Sequence, residues 1–148
     1  MRAFLLTLAP LLIWHALDAG ELPAGKGKEV TDRVCGGCHE AGVVAKYHNS
    51  KEDWQSIVED MKARGADGSE EDFRIVTAYL VHFFGPEINV NKAPAQEMAA
   101  QLELTSPEAE AIVNYRSEKG AFRSFADLKK VPGLDVSKLE PIQQRIVY

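Results

Sequence analysis

Cys35 and Cys38 are the only cysteines of the chain, and they stand in the run "RVCGGCHEAG" with His39 directly behind them. Two thiols and an imidazole at this spacing suit three chemistries. A structural zinc site needs four closed ligands, commonly two such pairs or a pair with two spaced histidines. His48 and His82 lack that spacing. A C-x-x-C redox disulfide belongs beside a βαβ pattern, and no strand pattern is present. A plain disulfide across Gly36 and Gly37 would close a very short loop, with little entropic gain and some strain. Covalent haem attachment accounts for all three side chains. The two sulfurs form thioether bonds to the vinyl groups, and His39 reaches the iron. Gly36 and Gly37 let the bridge lie against the porphyrin edge without a side-chain clash. The cofactor expected is one covalent haem c.

A second axial ligand is sought next. Trp54, Ile57, Val58 and Met61 recur at i, i+3, i+4 and i+7, one face of a helix. That face must look inward, which places Met61 as the distal candidate. His48, in the loop "KYHNS", is the alternative. His82 sits beside a buried stripe near a helix end and reads as a surface histidine, and Met98 belongs to the core of the following unit.

Helices must position these groups. Helical character builds from Lys28 into the cysteine pair, and "EAGVVAKYHNS" reads as loop. Ser50 caps the Met61 helix, with Glu52 and Asp53 in its first turn, and Gly65 stops it. A further helix starts at Ser69, where Glu70, Glu71 and Asp72 are helix N-terminal charges; it buries Phe73, Val76, Leu80 and Phe83 and ends at Gly85-Pro86. From Glu87 onward short helices alternate with tight turns. Leu104, Ala109 and Ile112 return as Leu134, Leu139 and Ile142, an offset of thirty residues that suggests a duplicated helix–turn–helix unit. The fold class expected is all-α: a small haem-binding domain over residues 20–86, then a unit of paired short helices over 87–148. Sixty-odd residues with three helices bury little apolar surface, and a porphyrin would serve as part of such a core.

Ahead of both units, Arg2 precedes an apolar run from Ala3 to Trp14 that is shorter than the roughly 20 residues a bilayer span takes. Leu17-Asp18-Ala19 offers a cleavage site, so residues 1–19 read as a secretory signal peptide and the protein as periplasmic or otherwise exported. No stable membrane insertion is expected once it is cleaved. The net charge of −5 is a poor start for a non-specific nucleic-acid binder.

Two resemblances follow from these residues. "CGGCH", "IVEDMKARGA" and "TAYLVHFFG" resemble the small single-haem domains of the cytochrome c superfamily, of the kind found in or beside quinoprotein dehydrogenases. That resemblance implies Met61 as distal ligand, while His48 in the preceding loop departs from the pattern. "INVNKAPAQEM" and "AEAIVNYRSEKGAFRSFADLKKVPGL" resemble the tandem helix-hairpin-helix module of competence-type DNA receptors. Such hairpins hold DNA phosphates on backbone N–H groups at a glycine turn. In the first turn, "LELTSP", Glu103 and Thr105 replace both glycines; the second, "VPGLDV", keeps Gly133 but has Asp135. Gly133, Lys129, Lys130 and Lys138 are candidate nucleic-acid contacts, with Arg145 beside them. Residues 87–148 carry eight bases and nine acids, so the module is not basic.

The leading expectation is therefore an exported c-type cytochrome passing single electrons to a dehydrogenase or oxidase partner, not an enzyme, with no small-molecule substrate and with the hairpins as a docking or spacer domain. The alternative is a DNA-binding or DNA-uptake protein with an accessory haem domain. A haem enzyme or gas sensor would need an open iron position and a polar distal pocket.

Overall fold

The computed structural model describes residues 21–148; the expected signal peptide lies outside them. The described chain is mostly helical. Helix α1 (Lys28–Gly36) carries Cys35 in its last turn. A 3-10 helix spans Ala41–Lys46, where the sequence reads as loop. Small residues at Ala41 and Gly42 let this turn bury itself beside Val44.

Helix α2 (Lys51–Ala63) begins as expected: the Asp53 N–H donates to Ser50 Oγ at 3.1 Å. Just past its end Gly65 takes φ +98°, a conformation that favours glycine. Helix α3 (Glu70–Phe84) opens on a full capping box between Ser69 and Asp72. Its inward face buries Phe73, Val76, Tyr79, Leu80, Phe83 and Phe84. Helices α1 and α2 both pack on α3, which makes α3 the central beam. The Trp54 indole N–H donates to the Phe84 carbonyl at 2.8 Å and ties α2 to the end of α3.

The second unit holds α4 (Ala95–Gln101), α5 (Ser106–Lys119) and the short α6 (Phe125–Leu128), then 3-10 turns at Val136–Lys138 and Glu140–Arg145. All six positions of the thirty-residue offset are buried: Leu104, Ala109, Ile112, Leu134, Leu139 and Ile142. The second repeat does not close on an α-helix. Pro141, which has no N–H to donate, sits at the start of its last 3-10 segment.

One short strand pairing was not expected. β1 (Ile88–Asn89) runs parallel to β2 (Ile146–Val147), joining the two ends of the hairpin unit. The units also meet each other. Arg145, 1 % exposed, donates to the carbonyls of Pro86, Val81, His82 and Gln101. The Gln144 amide adds a bond to the Phe83 carbonyl at 3.1 Å. The C-terminal carbonyls of α3, which no helix turn can satisfy, are thus closed by side chains of the hairpin unit.

Candidate functional site

The N-terminal unit contains a cavity of about 650 Å³, within the usual range of cofactor sites of about 300–1,000 Å³. Cys35, Cys38 and His39 line it from α1 and the turn that follows, and Met61 lines it from α2. Its floor is apolar and buried, with Val34, Trp54, Val58, Val76 and Leu80. Val43, Tyr47 and Ile57 ring it as well. These are three of the four large hydrophobic side chains exposed among the described residues. Ile57 therefore departs from the expected buried stripe, because the stripe faces a cavity and not a closed core. An apolar face left open around a cavity of this size suits a flat apolar group.

Both cysteines are free thiols, Cys35 half-buried and Cys38 exposed. Burial first, and the Asp32 charge second, push the Cys35 thiol above its usual range. His39 is exposed, and its Nδ1 lies 3.1 Å from the Glu40 carbonyl. A carbonyl only accepts, so in the neutral ring the proton sits on Nδ1 and Nε2 is the nitrogen left for a metal. His48 is placed differently. Its Nδ1–H donates to the Gly85 carbonyl at 3.1 Å, and it does not line the cavity. Met61 is thus the distal candidate that the fold brings to the cavity, and His48 is corrected to a tie between the loop and the end of α3. Met98 is fully buried in the hairpin unit. His82 donates from Nδ1 to Glu103 Oε1 at 2.8 Å. Four side chains, Cys35, Cys38, His39 and Met61, would therefore fit a covalent haem.

The second hairpin presents another surface. Between α6 and the following 3-10 turn, Gly133 takes φ +78° with open space where a side chain would stand. Lys129 and Lys130 immediately precede this turn. Lys129 pairs with Glu140 at 2.8 Å and Lys130 with Asp127 at 2.6 Å. The Lys129 pair is exposed on both sides and contributes about 0–1 kcal/mol, so a phosphate can displace it; the Lys130 ammonium is exposed, while its partner Asp127 is only 15 % exposed. Lys138 is different: its ammonium sits 2.8 and 2.9 Å from the two oxygens of Glu108, a side chain only 8 % exposed. It is committed to holding the two hairpins together and is corrected as a phosphate contact. Arg145 is corrected for the same reason, since its guanidinium is buried on four carbonyls.

The first hairpin keeps the turn and loses its chemistry. Glu103 takes φ +55°, the one non-glycine residue with positive φ among the described residues. The thirty-residue offset places it opposite Gly133, as the comparison of the two turns in the sequence expects. Its carboxylate repels phosphate and accepts from His82 instead.

Glu108 closes the space between the hairpins. It accepts from the Thr105 N–H at 2.8 Å, the Thr105 hydroxyl at 2.7 Å and the Asp135 N–H at 3.3 Å, besides Lys138. The Lys138 ammonium first, then the Thr105 donors, hold its carboxyl down at about 2 against an ordinary 4.5. A depressed carboxylate stabilises the fold fully above its unfolded value and ceases to do so as pH falls through its folded value. The melting temperature of Glu108→Gln should therefore lie below wild type at neutral pH, the gap narrowing below about pH 4.5 and closing near pH 2. A gap independent of pH would show that the carboxylate charge is not the source.

Residues 85–147 match the family model described as helix-hairpin-helix motif. The chain is 34 % identical over 62 residues to ComE operon protein 1 of Bacillus subtilis, covering 42 % of this chain and 30 % of that protein. It is 32 % identical over 85 residues to endonuclease/exonuclease/phosphatase family domain-containing protein 1 of Xenopus laevis, covering 57 % and 15 %. An uncharacterized protein of Haemophilus influenzae is 35 % identical over 63 residues, covering 42 % and 56 %. The chain thus spans only part of the length of each relative. No solved structure matches it. The C-terminal unit is a helix-hairpin-helix domain. This overturns the leading expectation: the recognised family is the hairpin unit, and none of these relatives is named as a cytochrome, so the electron-carrier function and its dehydrogenase or oxidase partner are withdrawn. Nor does any group of three or more His, Cys, Asp and Glu among the described residues make a metal site on its own. No helix among them is long and apolar enough to cross a membrane.

Proposed function

We propose that the chain is an exported, non-enzymatic DNA-binding or DNA-uptake protein whose N-terminal unit carries an accessory haem. The observation that supports it best is the exposed Gly133 turn inside the matched region 85–147. There the backbone can approach a phosphate closely, and Lys129 and Lys130 stand immediately before it. The first hairpin, with Glu103, takes no part. The eight bases and nine acids of residues 87–148 leave little general attraction for DNA, so binding should be weak and steeply salt-dependent, in the non-specific range of about 10⁻⁴–10⁻⁶ M.

The test is fluorescence anisotropy with a labelled duplex at low salt. The double variant Lys129→Ala, Lys130→Ala should weaken binding about tenfold and reduce the slope of log K against log salt by about 1–2. Wild-type protein that leaves the duplex unbound at low salt removes the reading.

In the N-terminal unit, Cys35 and Cys38 would hold the haem through their sulfurs, with His39 and Met61 at the iron. The group supplies a redox-active iron when bound. Its part in this reading is to complete the core, with Trp54, Val58, Val76 and Leu80 as its apolar seat.

A further inference from the structure

A porphyrin buries an apolar ring but carries two propionate carboxylates, and these need polar partners at the cavity mouth. The lining offers few. Cys35, Cys38, His39 and Met61 are already assigned. The Trp54 N–H is committed to the Phe84 carbonyl at 2.8 Å. Apart from these, the polar side chains lining the cavity are Tyr47, Asn49 and Arg64, and Arg64 is the one Lys or Arg among them. It stands at the C-terminal cap of α2, three residues beyond Met61 and so on the same helix face. Its side chain is 71 % exposed, free to turn over the mouth, and one nitrogen, Nη2, contacts Asp60 Oδ2 at 2.8 Å. A guanidinium has five N–H donors in a planar fork, so donors remain for a carboxylate after Asp60 is served.

We propose that Arg64 is the carboxylate-binding residue of this cavity, receiving a propionate of the haem. The inference rests on the haem reading and adds a positioning residue to it. Arg64 matches carboxylate geometry with two parallel bonds, which a lysine cannot do. Asp60 holds the guanidinium near the mouth and competes weakly for it, as exposed i, i+4 pairs do.

The experiment compares the full chain produced with and without haem-attachment machinery, as wild type, Arg64→Leu and Asp60→Asn. The quantity read is the rise in melting temperature that loading brings to each. In wild type it should exceed that of Arg64→Leu by about 3–6 °C, and Asp60→Asn should match or exceed wild type. The unloaded forms should melt close together, since Arg64 makes only an exposed pair without the cofactor. An equal rise in wild type and Arg64→Leu overturns the Arg64 assignment alone. Wild type that takes up no covalent haem overturns the haem reading and this inference together.

Discussion

Arg145→Met is expected to lower the stability of the protein by about 3–5 kcal/mol. The guanidinium is 1 % exposed and reaches the carbonyls of Pro86, Val81, His82 and Gln101, at 3.3, 3.3, 2.6 and 2.8 Å. Burial pushes its pKa below the usual range, yet an arginine stays charged in proteins. The charge is matched by carbonyl dipoles at the C-terminus of α3, where a cation is favoured. Methionine fills much of the same volume but leaves those carbonyls dry. Whole domains are stable by only about 5–15 kcal/mol, so the melting temperature should fall by at least about 10 °C. Gly85→Ala tests the same contact from the other side. A Cβ there would stand 2.6 Å from Arg145 Nη2 and 2.6 Å from the Val81 carbonyl oxygen, so one of them must shift. Lys129→Met serves as the control, because its pair with Glu140 is exposed and should matter by less than about 1 kcal/mol. If Arg145→Met and Lys129→Met melt together, the clamp between the two units is not what holds them.

The helices were legible because their signals are local. Ser50, Ser69 and Gly65 mark ends by their own hydrogen bonds and dihedrals, and the period of 3.6 residues exposes the buried faces. What escaped was non-local. Two-residue strands at Ile88–Asn89 and Ile146–Val147 carry no periodicity of their own and pair across the whole hairpin unit. Arg145 reads as a phosphate contact by residue type, and only the packing of α3 shows it enclosed. Lys138 misleads in the same way, since its partner Glu108 lies thirty residues away. Ile57 fits a helical stripe, yet a stripe cannot say whether it faces side chains or an open cavity. The C-x-x-C-H run concentrates its chemistry in five residues and drew the function to itself. The hairpin unit spreads its identity over sixty residues of spacing, where a family match sees it and a lone motif does not.

The cavity gives the second large effect, one that is all or none. Cys35→Ala, Cys38→Ala should abolish haem that survives denaturation with the protein, where wild type produced with attachment machinery retains it. Each thioether removes one thiol, and the chain has no third cysteine to substitute. Of the two sulfurs, Cys35 is half-buried and Cys38 is exposed. Each single variant should keep haem through one thioether only. Met61→Ala should keep both thioethers and lose only the weak far-red absorption of a sulfur–iron bond, whereas His48→Ala, with its ring on the Gly85 carbonyl, should leave that band in place. The haem assignment fails on a different result. Colourless wild-type protein with two free thiols would mean that the apolar lip of Val43, Tyr47 and Ile57 surrounds a site for something else, while the hairpin unit and its Gly133 turn would stand unaffected.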